Sequence, residues 1–451
     1  RSHAVQNGRY FYLDSVYSGE NTWYPPLFSV LTVFLSNVSG ISLDSLFIWL
    51  PIPITLLLGF SFYLVGRELV GEWAGVFTAF LAVFFSGAGM NSISVAVPTN
   101  LAFALLGFYI LFFLRSNTLA SGVILGLIGL THIHVFVTAI LFTGVYWLLE
   151  ARVPDKVALK IPKKLSIDLF IVLSTGVLIS LLYFWMPVIS IYSLHTPNAG
   201  ATYLGELAAN YPPFFSLIFG MTIGSVLFWL ALPGLYLAVR DNATIPLALF
   251  LTSMIGRLHI YLTLPLMNWF FHAYKFGYIY DLSLVVLAGG SISLIAEKLE
   301  TSRKNIVLFL LIVLMIFQYI PYSEHVKTDT WKPAEPYPEQ YTDLAEWINA
   351  NTKEGNVFLA HPYDSFAINS LTGRNMVVTE QGHSSPFVDW NKQADIASRG
   401  FAGDVTALKG VAYVVFSPQL QIDHKFFDSN YQKVYDKDGM IVYYLGGEQN
   451  E

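Results

Sequence analysis

Two cations, Arg257 and Lys275, bracket a short segment between apolar stretches, and His259 and His272 lie between them. Paired cations at the edge of apolar sequence suit a phosphate or pyrophosphate group, which takes charge-assisted hydrogen bonds. The competing role is snorkelling of long side chains toward water. Glu206 follows His195 and precedes Tyr211-Pro212-Pro213, and a carboxylate there can act as a base or metal ligand, or stand solvated in a loop. Asp14 and Glu20 present the same alternatives near the start of the chain. His132 and His134 alternate in Gly129-Leu130-Thr131-His132-Ile133-His134; such a pair can bind a metal, and capping or packing competes. Asp281 begins an apolar stretch within helical reach of Lys275 or Arg257, Asp44 lies at another such edge, and Asp168 reads as structural.

These residues are carried by an apolar chain. Of its 451 residues 54% are hydrophobic and only 12% charged, half the proportion usual for a soluble domain, which excludes a single soluble fold. The charge is unevenly spread: residues 1–321 carry 13 acidic and 15 basic groups, whereas the shorter 322–451 carries 18 and 10. The chain therefore reads as a polytopic helical membrane domain followed by an acidic α/β domain. A net charge of −6 with no basic stripe excludes nucleic acid as a partner. The absence of cysteine excludes disulfides, thiolate metal sites and cysteine nucleophiles.

A membrane-spanning helix needs about 20 apolar residues. Candidate spans cover 46–66, 71–86, 98–114, 118–131, 132–150, 166–190, 214–238, 243–264, 276–296 and 305–321, about ten in all, with 118–131 and 132–150 able to form a hairpin that does not fully cross. Arg67, Arg115, Arg240, the group Arg152, Lys156, Lys160, Lys163 and Lys164, and the group Lys298, Arg303 and Lys304 fall in alternate loops. The intervening loops 87–97 and 191–213 contain no Lys or Arg, so 11 of the 15 basic residues of this region share one side, the cytoplasmic one. The expected division is an outer first segment 1–45 with interfacial helices, a transmembrane domain 46–321, and a soluble domain 322–451 outside the cytoplasm. Tyr10, Phe11, Tyr12 and Tyr17 among polar residues suggest a surface-lying helix over His3–Ser18, and Pro25-Pro26 suits the first turn of the helix after it. Asn37-Val38-Ser39 is a glycosylation sequon, a low-specificity match.

In the last region, periodicity predicts helices over Gln340–Asn351, Ser365–Leu371 and Asp389–Arg399. Strands are expected over Asn356–Ala360, Met376–Thr379 and Val411–Phe416, with a hairpin of Lys433–Tyr435 and Met440–Leu445 closed by Asp438-Gly439. Alternation of strands and helices indicates an α/β domain; it contains no glycine-rich phosphate loop.

Several segments together resemble the GT-C class of membrane glycosyltransferases, which includes protein mannosyltransferases, aminoarabinose transferases and the catalytic subunit of oligosaccharyltransferases, and most of all their archaeal or bacterial relatives. The resemblance is carried by His3, by Trp23-Tyr24-Pro25-Pro26-Leu27-Phe28, and by Leu50-Pro51-Ile52-Pro53 leading to Tyr63-Leu64-Val65-Gly66-Arg67-Glu68-Leu69. Thr131-His132, Ala273-Tyr274-Lys275-Phe276, and the tail from Leu344-Ala345-Glu346-Trp347-Ile348 to Thr372-Gly373-Arg374 extend it over nearly the whole chain. It implies transfer of a sugar from a polyprenyl-phosphate-linked donor to a protein, glycan or lipid acceptor at the outer face of a cell membrane. Arg257 or Lys275 would serve the phosphate, with His3, Tyr24, His132 and His259 as further binding residues. Asp14, Glu20 and Glu206 would be the best-placed candidate bases, with Asp44 and Asp281 at span edges as weaker ones. A divalent cation, Mg²⁺ or Mn²⁺, is the cofactor compatible with that chemistry. In this class the first outer loop carries an essential acid shortly after helix one. No acid precedes His3, which implies that this helix and acid lie upstream of Arg1 or have been lost. The loop 87–97, where relatives often place a second acid, contains none. Two other classes compete: a non-catalytic scaffold or subunit, expected to expose an apolar face to a partner, and a lipid-linked substrate transporter, expected to show internal repeats and charges near the bilayer midplane.

Overall fold

The computed structural model describes residues 2–6, 14–18, 22, 24–151, 163–187, 222–258, 273–297, short helical stretches between 305 and 317, and residues 337–380, 388–418, 420 and 422–446. They form two compact units: one built on Asp44–Leu182 and Tyr211–Ala334, the other on Arg1–Leu43 and Glu335–Glu451 together with Tyr183–Asn210.

The first unit is a helical bundle. Its helices are α4 (Pro51–Leu69), α5 (Glu72–Phe84), α6 (Gly87–Ser94), α7 (Pro98–Leu114), α8 (Thr118–Thr131), α9 (Ile133–Glu150), α10 (Lys163–Pro187), α11 (Thr222–Arg240), α12 (Thr244–Leu258) and α13 (Ala273–Glu297). Local chemistry sets several of these boundaries. Pro51 and Pro98 open α4 and α7, where a missing N–H costs nothing. The Asn117 side chain caps α8 by accepting from the Ala120 N–H, and His132, in an extended conformation, separates α8 from α9. The span expected over 46–66 begins instead at Pro51, because the preceding α3 (Leu43–Trp49) ends there. Three helices, Pro51–Leu69, Ile133–Glu150 and Phe276–Ala296, are long and apolar enough to cross a membrane alone. Counting two broken pairs as single spans raises this to five; one of them, α5 with α6, is bent by 63°. The remaining apolar helices described are shorter.

With no water inside an apolar bundle, polar groups must find partners within it. Ser121, Thr131, Thr138, Thr143 and Ser180 donate their hydroxyls to carbonyls one turn back in their own helices. Ser291 of α13 donates to the Leu230 carbonyl of α11, Ser253 of α12 meets Ser283 of α13, and Tyr109 of α7 meets Thr143 of α9. Close helix approach does the rest. A Cβ on Gly75 of α5 would lie 2.7 Å from the Tyr63 carbonyl of α4, and one on Gly126 of α8 would lie 2.5 Å from the Ile179 Cβ of α10. One end of the bundle carries ion pairs: Arg115 forks onto Glu68 at 2.7 and 2.9 Å, and Glu72 accepts from Tyr63 and pairs with Arg67. This is the end that charge alternation assigns to the cytoplasm.

The second unit holds a mixed five-stranded sheet of order β2-β1-β3-β5-β4: β1 (Val357–Leu359), β2 (Asn375–Met376), β3 (Tyr413–Phe416), β4 (Gln432–Lys437) and β5 (Met440–Tyr444). The pairs β1–β2 and β1–β3 are parallel, with α15 (Pro362–Thr372) and α16 (Trp390–Phe401) in the crossovers; α14 (Glu339–Asn351) precedes the sheet and α17 (Lys425–Asn430) the hairpin. Asp438 and Gly439 take φ of 53° and 77°, the doubly left-handed turn expected of an Asp-Gly hairpin. Arg374 is buried and gives its guanidinium to the Thr352 hydroxyl and carbonyl and to the Thr372 carbonyl, tying the end of α14 to the α15–β2 corner.

The unit also takes in the start of the chain. Met376 donates its N–H to the Val16 carbonyl at 2.7 Å, and the Asn369 amide donates to Ser15. Val16 and Tyr17 are buried in one core with Leu344, Ile348, Phe358 and Val442. Within His3–Ser18, expected to be a surface-lying helix, the described helix is α1 (Ser2–Gln6), and Asp14–Ser18 is a turn. The Asp14 carboxylate accepts the N–H groups of Val16 and Tyr17 at 2.8 and 3.0 Å, which favours a turn over helix continuation. α2 (Leu27–Ser39) follows Pro25-Pro26 as expected, and Ser2 meets Thr32 to join α1 to it.

Two outcomes are expected. Gly126→Val drives methyl groups into Ile179 and lowers stability by about 1–3 kcal/mol; Gly144→Ala, where a Cβ meets nothing within 4 Å, does not. Thermal unfolding of the detergent-solubilised chain distinguishes them. In the sheet unit, the Tyr443 hydroxyl donating to Asp428 at 2.6 Å, with Lys433 nearby, holds that carboxyl below its ordinary range. A depressed folded-state pKa contributes stability that is present at neutral pH and lost as pH falls below about 4. Hydrogen exchange of the β5 amides, corrected for intrinsic rates, accelerates in that window, and Asp428→Asn flattens the dependence.

Candidate functional site

By helix alternation the opposite end of the bundle gathers α6, the start of α7, the α8–α9 junction, the end of α12 and the start of α13. The stretch 87–97, legible in sequence only as an outer loop, is here mostly the helix α6. Ser86 caps it by accepting the Gly89 N–H at 2.9 Å, and two neighbours hold it in place. Asn100, fully buried in α7, donates to the Val95 carbonyl at 2.7 Å and to the Asn91 carbonyl at 3.2 Å, and accepts from the Asn91 amide. Asp281 of α13 accepts the Gly87 N–H at 3.0 Å.

Arg257, in the last turn of α12, lays its guanidinium over the Tyr280 ring at 4.8 Å and interacts electrostatically with Asp281. It is half-buried, and its Nε has no hydrogen-bond partner among the described residues. A cation stacked by one face and free along one edge can receive an anion bearing more than one acceptor oxygen. His132 and His134 are buried at the α8–α9 junction with ring centroids 5.3 Å apart.

Of the residues singled out by sequence, Arg257 and Asp281 are therefore brought together with α6. Asp14, His3 and Tyr24 belong to the other unit, where Asp14 is buried and caps a turn, and His3 and Tyr24 are half-buried. Glu20, Glu206 and His259 lie outside the described residues, as does the side chain of Lys275, which opens α13. Among the described residues no three of His, Cys, Asp or Glu converge, so these alone do not fit a metal ion. Sequence reasoning missed Tyr280, Ser86 and Asn100. An asparagine inside the otherwise apolar Pro98–Leu114 is the signal that could have found the last.

Asn100→Ala removes three contacts to the 91–95 turn. We expect faster hydrogen exchange of the α6 amides and a stability loss of about 1–3 kcal/mol from the Val95 carbonyl and the Asn91 amide that lose Asn100, with exchange in α8 unchanged.

No protein-family model matches the sequence, and no curated protein matches it. Solved structures do. The oligosaccharyltransferase of Archaeoglobus fulgidus in its apo form aligns with TM-score 0.56 and 14% identity over 92% of this chain, which spans 64% of that protein's length. The same enzyme, AglB, in complex with an inhibitory peptide and a dolichol-phosphate aligns at 0.53, also with 14% identity, covering 92% of this chain and 64% of that one. ArnT of Cupriavidus metallidurans bound to undecaprenyl phosphate aligns at 0.54 with 13% identity, over 93% of this chain and 87% of its own. A likeness at this level of identity is one of architecture: the chain has the fold of the GT-C class of membrane glycosyltransferases.

Proposed function

We propose that the protein transfers a sugar from a polyprenyl-phosphate-linked donor to an acceptor at the outer face of a membrane that it crosses several times. The observation that carries the reading is Arg257: half-buried, stacked on Tyr280, its Nε without a hydrogen-bond partner among the described residues, at the end of the bundle opposite the Arg115–Glu68 and Arg67–Glu72 pairs. Neighbours of the same fold are bound to dolichol-phosphate and undecaprenyl phosphate, which supports a lipid phosphate as the anion.

In this reaction the bond between the anomeric carbon and the phosphate oxygen breaks, and the acceptor nucleophile forms the new glycosidic bond. The lipid phosphate leaves with the electron pair, and the acceptor proton passes to a carboxylate. Polyprenyl phosphate is already a good leaving group, so the work is orientation and charge stabilisation. Arg257, with Lys275 as a second cation, holds the phosphate and stabilises the charge that grows on it. Asp14, Glu20 and Glu206 are the acids from which the base is drawn, a role that contributes about 10²–10⁴-fold. His3, Tyr24, His132 and His259 are assigned to donor and acceptor binding. The acceptor is a protein, glycan or lipid.

Arg257→Gln lowers kcat/KM for a polyprenyl-phosphate sugar by roughly 10²-fold, and Arg257→Lys falls between the two, because an ammonium keeps the charge and loses the planar fork. The check is transfer or hydrolysis of a radiolabelled donor by the purified chain in nanodiscs. An Arg257→Gln variant as active as wild type sinks the phosphate assignment.

A further inference from the structure

Asp281 has no role in the reaction described above, yet it occupies the point where three elements of that end meet. Its helix, α13, also supplies Tyr280 for the Arg257 stack. One carboxylate oxygen, Oδ2, accepts the Gly87 N–H at 3.0 Å. The approach is close: a Cβ at position 87 would lie 3.0 Å from that same oxygen and 2.9 Å from the Tyr278 ring, so the seat of α6 against α13 requires glycine. The charge of Asp281 acts on Arg257, which is held to α13 besides by the stack on Tyr280.

We propose that Asp281 is a positioning residue for lipid-phosphate binding: its carboxylate anchors the first turn of α6 and, by its charge, fixes the Arg257 guanidinium on Tyr280 with the Nε edge free. The proposal rests on the functional reading above and deepens it. A half-buried arginine without a fixed counter-charge turns toward water, and a half-buried carboxylate without a donor does the same. Arg257 at the end of α12 and Asp281 near the start of α13 form a preorganised set, so the incoming phosphate meets a cation already oriented. Asp281 touches neither donor nor acceptor in this scheme; it acts through Arg257 and α6.

The test separates its two ties. Asp281→Asn keeps an oxygen for the Gly87 N–H and loses the charge, whereas Asp281→Ala loses both. Binding is measured in nanodiscs with undecaprenyl phosphate, and with undecaprenol as the uncharged control. Asp281→Asn is expected to bind undecaprenyl phosphate about 5-fold or more weakly, with α6 hydrogen exchange as in wild type and binding of undecaprenol unchanged. Asp281→Ala weakens binding as much and also speeds exchange across α6. In an Arg257→Gln background, Asp281→Asn adds no further loss, because its effect passes through Arg257. Wild-type affinity in Asp281→Asn, or an equal loss with and without Arg257, overturns the proposal. If wild type binds the phosphate and the alcohol equally, the functional reading fails instead. The Asp281–Arg257 tie is then decided by the unfolding temperatures of wild type, the two single variants and the double variant: non-additive shifts uphold it and additive shifts refute it.

Discussion

Water is absent from the interior of an apolar helical bundle, and the rest of this structure follows from that constraint. A hydroxyl or amide that leaves its helix unsatisfied costs several kcal/mol in such a medium. Ser121, Thr131, Thr138, Thr143 and Ser180 turn back onto carbonyls one turn earlier, and hydroxyls that reach across, such as Ser291 to Leu230, occur where two helices are already close. Without water to expel, helices gain from contact mainly by packing, which is why Gly126 abuts Ile179. Charged groups are pushed to the ends, and the two ends differ. One pairs its arginines with glutamates across helices, while the other leaves Arg257 stacked and only partly satisfied.

The sheet unit is held differently. Its core is contributed by residues far apart in sequence: Val16 and Tyr17 pack with Leu344, Phe358 and Val442, and the Val16 carbonyl closes the ladder at the two-residue edge strand β2. A short edge strand presents unpaired backbone groups, and a segment from the far end of the chain covers one of them. The buried carboxylate of Asp14 and the buried guanidinium of Arg374 belong to this assembly. Both are directed at backbone groups of nearby residues, so each is satisfied by the fold itself. For Asp14 this local duty shares one side chain with the proposed assignment as a base.

What was legible in the sequence were features written locally. Pro98 and Arg115 bracket a run that is helical from 98 to 114, as read. Asp438-Gly439 specifies its own turn, and each tail helix and strand read from sequence falls within a few residues of its periodic signal, whereas the short α17 (Lys425–Asn430) is not among the elements expected from sequence. What escaped depended on partners remote in sequence. Gly87-Ala88-Gly89-Met90-Asn91-Ser92 has the composition of a turn, and it is helical where Ser86, Asn100 and Asp281 supply the missing hydrogen bonds. The turn at Asp14–Ser18 takes its place from residues such as Asn369, 354 positions away from Ser15, a pairing that no window of sequence contains. Of the candidate site, Arg257 and Asp281 could be named from charge at the edge of apolar runs, whereas Tyr280, which orients one of them, looks like any other aromatic of a membrane helix.

That contrast bears on how such a site can bind an anion without being neutralised beforehand. If Asp281 formed a bidentate pair with Arg257, the fork would be spent and a phosphate would have to break it. Sharing the carboxylate with the Gly87 N–H divides its hydrogen-bonding capacity while leaving its charge in place. Stacking on Tyr280 occupies the guanidinium face and leaves its edge, and the edge is where N–H groups point. In a partly dry environment the attraction between that edge and a phosphate exceeds what the same groups achieve in water. A lysine would gain the charge attraction but not the division of labour between face and edge. On the proposed reading the arrangement orients a cation and still leaves it able to take an anion, a combination that neither a full salt bridge nor a solvated side chain provides.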